Sequence, residues 1–84
     1  MTDRERREAI DEATAIPPSR DYDGLPAILN LLDHMSAATD APFAQRWRWA
    51  ASLAVLIDEE SATFEQDPFG RALRHVITLF RDPK

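Results

Sequence analysis

The side chains that could do chemistry in this sequence are few and fall mainly in its second half. Asp58, Glu59, Glu60, Glu65 and Asp67 crowd into one short run. Carboxylates can hold calcium, but a calcium loop needs oxygen ligands at alternating positions and a glycine at the sharp turn, and this run has neither. Unspaced carboxylates at a helix end point in different directions, which reads as a solvated end. His34 and His75 are the only histidines. A zinc site needs one or two further ligands converging with them, and no spacing in the chain supplies those. Each histidine lies beside an apolar stripe and reads as a boundary residue. The absence of cysteine excludes thiolate zinc sites, iron–sulfur ligation, cysteine nucleophiles and disulfides. There is no Gly-x-Ser-x-Gly elbow to carry a serine nucleophile. The residues therefore point to no metal site and to no complete active site within this chain.

Two groups of side chains remain. Arg71, Arg74, His75 and Arg81 form the only basic stripe in an acidic chain. Cations suit the C-terminal end of a helix, and a guanidinium fork also matches carboxylates, phosphates and oxidised sulfur oxygens. Trp47 and Trp49 are two residues apart, so on one helix they diverge by about 200° and cannot share one core. Trp47 joins Phe43 and Ala50 on the main apolar stripe, whereas Trp49 joins Leu53 and Leu56 on its flank. In a thin core, one tryptophan is either covered by the first helix or the loop around Tyr22, or left to anchor a partner, a role in which tryptophan is enriched.

The wider balance narrows the partners. Ten Lys and Arg stand against fifteen Asp and Glu among 84 residues, for a net charge of −5. Phosphate backbones attract basic surfaces, so nucleic acid is a poor partner for this chain. The opening Met-Thr-Asp-Arg-Glu-Arg-Arg-Glu is too charged for a signal peptide, and no apolar run is long enough to span a membrane. A single cytoplasmic domain without membrane attachment is expected.

The elements that must position these residues are helical. Thr2 and Glu5 have the spacing of a capping box, opening an N-terminal helix over residues 1–16. Its apolar stripe is thin (Ala9, Ile10, Ala13 and Ile16), so this helix is expected to be the looser one. Pro17-Pro18 stops it, and residues 17–24 read as loop. Asp23 is placed to cap a second helix from about Leu25 to Ala38, with Leu25, Ile28, Leu32 and Met35 as its stripe. Asp40 is placed to cap a third helix to about Glu59, with Pro42 in its first turn. Phe43, Trp47, Ala50, Leu53, Ala54, Leu56 and Ile57 cover most of that helix, which suggests a central position. Asp67 and Pro68 open a last helix to about Arg81, with Phe69, Leu73, Val76, Ile77 and Phe80 in register. No segment alternates with period two. The expected fold is all-α, a small bundle of three firm helices over residues 25–81 plus the looser N-terminal helix.

The run Ala41-Pro42-Phe43-Ala44-Gln45-Arg46-Trp47 resembles the Pro-x-Phe-x-x-x-Trp signature of nitrile hydratase β-subunits and their accessory (activator) proteins, the proline standing directly before Phe43 here. An Ala- and Leu-rich helix follows at Ala50 to Ile57. Phe64-Glu65-Gln66-Asp67-Pro68-Phe69, with Leu73 one turn later, is similar to the family's second helix, which begins Asp-x-Phe. The likeness covers roughly residues 41 to 77, without the family's glycine-rich arm or β-barrel half. It implies a split β-type subunit or a small accessory protein in a hetero-oligomer that hydrates nitriles to amides. It also implies a metal-binding α-type partner that holds cobalt or iron, with no cofactor in this chain. The family's arginine after Asp-x-Phe touches the partner's oxidised cysteines; here that position is Gly70 and the arginine follows at Arg71. Arg71 is thus the candidate catalytic contact, and Phe43, Trp47, Trp49, Arg71 and Arg74 are the candidate partner-binding residues. The residues alone leave a second reading open. A small acidic inhibitor or immunity-type protein would use Asp58 to Asp67 against a basic face of its target.

Overall fold

Thr2 accepts a hydrogen bond from the Glu5 backbone N–H at 3.2 Å, and this N-cap starts the first of five helices among the described residues. These are α1 (Asp3–Ala15), α2 (Leu25–Ala37), α3 (Phe43–Asp58), α4 (Ser61–Gln66) and α5 (Pro68–Phe80). The structure is a computed structural model that describes residues 2–58 and 61–83, so Glu59 and Glu60 lie outside the described residues. No strand occurs among the described residues, and the fold is a small all-α bundle measuring 32 × 21 × 19 Å. None of the described helices is long and apolar enough to cross a membrane.

The helix boundaries follow local chemistry, with three departures from expectation. Gly24, not Asp23, is the N-cap of α2, and no side chain caps it; Pro26 fills the first turn instead. Pro42 does not sit in the first turn of α3 but just before it, where its carbonyl accepts the N–H groups of Gln45 and Arg46 at 2.9 and 3.0 Å. The segment expected to be a plain linker before Asp67 contains α4, which buries Phe64 completely.

The centre of the bundle is α5, with α1, α3 and α4 packed around it. It buries Phe69, Leu73, Val76, Ile77, Leu79 and Phe80, the stripe its spacing implied and one residue more. Of the narrow stripe expected for α1, Ala9, Ile10 and Ala13 are buried, joined by Arg6, while Ile16 lies just past the helix as its C-cap and is only partly buried. The central place expected for α3 is corrected. Its buried face is Arg46, Ala50, Leu53 and Ile57, while Phe43, Trp47 and Val55 are exposed.

One buried carboxylate joins the loop after α1 to the start of α5. Asp67 is 3% exposed. Its Oδ1 caps α5 by accepting the Phe69 N–H at 3.1 Å. Its Oδ2 accepts the Tyr22 hydroxyl at 2.6 Å, and the Ser19 hydroxyl and N–H at 2.9 and 3.1 Å. Burial pushes the Asp67 pKa up, but these hydrogen bonds pull harder and bring it down from 3.8 to about 2. Burial, and then the bond to Asp67, push the Tyr22 pKa up. The Tyr22 ring stacks on Phe64 with centroids 4.3 Å apart. Close by, Gly70 has no room for a side chain: a Cβ there would overlap the backbone of Phe64.

Asp67→Asn is expected to lower stability at neutral pH by roughly 2 kcal/mol, the linkage value of a carboxyl held at about 2 instead of 3.8. The folded pKa is the depressed one, so this contribution is complete above about pH 4 and disappears as the pH falls toward about 2. Urea unfolding of both proteins across that range checks it; parallel curves would contradict it. Gly70→Ala is expected to cost about 2 kcal/mol or more, because the overlapping atoms belong to backbone. The urea midpoint measures that directly.

Candidate functional site

The candidate site is a groove between α3 and α5, built from the flank of α3 that the core leaves free. Once Arg46, Ala50, Leu53 and Ile57 face inward, Phe43, Trp47, Ala54 and Asp58 fall on a neighbouring flank at helical spacing. From α5, Arg74, Ile77, Thr78 and Arg81 meet that flank at intervals of three and four residues. Ala54, Asp58, Arg74, Ile77, Thr78 and Arg81 line a cleft of about 370 Å³. Beside the cleft, the Arg81 guanidinium lies 5.6 Å from the centre of the Trp47 ring. One turn earlier the Arg46 guanidinium lies 5.5 Å from the Phe43 ring centre. Both distances fall within cation–π range.

Phe43 and Trp47 are exposed because Arg46 takes the inward position between them. Arg46 is 6% exposed, and its Nε and Nη1 donate to the carbonyls of Ala41 and Asp82 at 3.0 and 2.9 Å. It therefore clamps the turn before α3 to the segment after α5. Burial first, and then the nearby charge of Arg6, push its pKa down, while Asp3 and Asp82 oppose them. Arg6 makes the matching tie on the other side of the same turn. Its Nε donates to the Thr39 carbonyl at 2.8 Å, and its Nη2 pairs with Asp3 at 2.7 Å. With two arginines holding this turn, the aromatic residues beside Arg46 are turned outward, Phe43 being 38% and Trp47 47% exposed.

The structure sorts the candidate partner-binding residues into two sets. Arg74 lines the α3–α5 cleft, Trp47 adjoins it at Arg81, and Phe43 lies one turn further along α3. Trp49 does not adjoin the cleft; it is half-buried on the opposite flank of α3 and packs against the core. Arg71 does not either, because it lines a separate cleft of about 300 Å³ with Glu12, Ile16, Pro68, Ala72 and His75. The expected single basic stripe is thus two, with Arg71 and His75 beside α1 and Arg74 and Arg81 beside α3. The family position ahead of Arg71 is Gly70, pressed against Phe64, and so no arginine fits there. Of the other residues that carried the resemblance, Phe64, Asp67, Phe69 and Leu73 are all in the core. His34 and His75 are both exposed.

Arg81 is the site residue left out of the candidate partner contacts, and Asp58 enters the sequence reading only as part of the acidic segment of the inhibitor alternative. The seven-residue interval between Arg74 and Arg81 was visible and places both on one helix face. Which neighbour that face meets is set by packing. The site carries a direct check on its architecture. Trp47→Ala is expected to change stability by no more than about 1 kcal/mol, since it removes exposed surface and one cation–π contact. Trp49→Ala, at a half-buried position against the core, is expected to cost about 2 kcal/mol. Equal urea midpoints for the two variants would contradict the assignment of faces. In comparisons with known proteins, no family model, no curated protein and no solved structure matches this chain.

Proposed function

We propose that this chain is a non-catalytic, partner-binding helical domain, working as a split β-type or accessory subunit of a nitrile-hydratase-like complex. One observation carries the binding part of this reading. Phe43 and Trp47 stand exposed one helical turn apart, each beside a guanidinium, at the edge of a groove. Tryptophan and arginine are the residues that most often dominate the energy of protein interfaces. An exposed aromatic pair on rigid helix is also ordered before it binds, so little entropy is lost on association.

The choice of partner rests on the resemblance of residues 41–77 to nitrile hydratase β-subunits and accessory proteins. In that setting an α-type subunit holds cobalt or iron, which acts as a Lewis acid on the nitrile or on water. This chain contributes packing through Phe43 and Trp47. Arg74, in the same groove, is a better-placed contact than Arg71, which opens beside α1.

The test is capture of partners by the tagged protein from its native cell extract, with mass spectrometry and metal analysis. Recovery of a cobalt- or iron-bearing, cysteine-motif subunit is expected, and Trp47→Ala should reduce that recovery at least about tenfold. A protein that stays monomeric and indifferent to any such α-subunit would refute the nitrile-hydratase reading. Capture of a basic nuclease or toxin, lost on Asp58→Asn and retained on Trp47→Ala, would establish the inhibitor reading in its place.

A further inference from the structure

The α3–α5 groove has a charge pattern opposite to that of the chain that carries it. The protein has a net charge of −5, yet the α5 wall of the groove presents Arg74 and Arg81 on one helix face. Seven residues of α-helix separate them by about 10 Å along the axis. Between them lie Ile77 and Thr78, with Ala54 opposite, so that the middle of the cleft is small and sets two apolar side chains beside the Thr78 hydroxyl. Trp47 closes one end beside Arg81, and Asp58 lies at the other, lining the cleft with Arg74. Arg74 also pairs with Glu65 at 3.5 Å, but both side chains are largely in solvent. Such a pair is worth little and exchanges readily for a better one. From Phe43 to Asp58 the α3 wall runs for about 22 Å, the length of some fifteen residues of helix.

We propose, building on the partner-binding reading above, that this groove takes an amphipathic helix of another protein bearing two carboxylates seven residues apart. A helix laid along α5 repeats the Arg74–Arg81 interval at its own i and i+7 positions. The residues at i+3 and i+4 then face Ala54 and Ile77 beside the Thr78 hydroxyl, where one apolar side chain can lie against the short Ala54. A carboxylate at the Arg81 end meets a guanidinium already positioned against Trp47, and bidentate pairing there has geometry that lysine could not supply. A phosphate backbone is disfavoured by the net charge and by Asp58 within the groove. A second copy is disfavoured by pattern. The apolar residues of α1, Ala9, Ile10 and Ala13, are already buried, and α2 carries one carboxylate, Asp33.

The test uses the full chain and a synthetic helical peptide of about fifteen residues. The peptide carries two glutamates seven apart with leucines between them, and its control has lysines in place of the glutamates. In NMR titration the Trp47 indole N–H should shift with the glutamate peptide while that of Trp49 stays in place. Arg81→Glu and Arg74→Glu should each weaken binding by about tenfold, and added salt should weaken it further. Both arginines are exposed, so these variants keep the fold. Equal binding of the lysine peptide, binding that ignores both substitutions, stronger binding of a thymidine oligonucleotide, or no shift at Trp47 would each overturn the proposal. Loss of partner capture in Trp47→Ala alongside a silent glutamate peptide would leave the partner-binding reading standing and remove this one alone.

Discussion

A carboxylate buried as deeply as that of Asp67 must have its charge met by donors, and meeting it organises this fold. Four hydrogen bonds converge on its two oxygens, from the Phe69 N–H, the Ser19 N–H and hydroxyl, and the Tyr22 hydroxyl. One of these starts α5; the others hold the loop after α1 against it. The same carboxylate therefore fixes where the central helix begins and where the loop after the first helix is held. Tyr22 carries its ring onto Phe64, and the lack of a Cβ at Gly70 lets α4 fold back onto α5 without a gap. Charge satisfaction and aromatic packing thus act on one joint. In a chain with no disulfide and a small core, such a joint supplies order that burial alone gives only in larger domains.

The second constraint comes from buried arginine. Arg6 and Arg46 lie on either side of the turn between α2 and α3 and donate to carbonyls of Thr39, Ala41 and Asp82. Burying two like charges near one another is unfavourable, and Arg6 Nη1 is buried without a hydrogen-bond partner among the described residues. What the arrangement accomplishes is satisfaction of turn and C-terminal carbonyls that no helix provides for. Its consequence reaches the surface. Because Arg46 points inward, the residues on either side of it in helical register, Phe43 and Trp47, point out and to the side.

The groove is the sum of those two constraints. Asp67 sets the start of α5 and so the rotation at which Arg74, Ile77, Thr78 and Arg81 meet α3. Arg46 sets the rotation of α3 and so brings Trp47, Ala54 and Asp58 to meet them. A basic wall, an aromatic end and a small floor of Ala54, Ile77 and Thr78 are brought together by packing whose own causes lie in the core. Of the acids and histidines that could do chemistry, His34, His75, Asp58 and Glu65 are exposed, and Asp67 is occupied by the hydrogen bonds that hold the fold.

Much of this was legible in the sequence, and the limit is physical. Helical class, the N-cap at Thr2, the Asp67–Pro68 start of α5 and the stripes of α2 and α5 are local properties, set by spacing, caps and proline. They survive into the structure because nothing in the packing opposes them. The face of α3 was not legible. By apolarity alone Phe43 and Trp47 belong inside, and only the carbonyls of Ala41 and Asp82, five residues before Arg46 and thirty-six after it, make arginine the better inward residue. The burial of Arg6, the role of Tyr22 and the separation of Arg71 from Arg74 were hidden for the same reason. The sequence by itself determined the helical class, the four longer helices and which residues are apolar, but not the short α4. Tertiary structure decided which side of each helix faces in, because that choice is made by polar groups distant in the chain that must find partners once water is excluded.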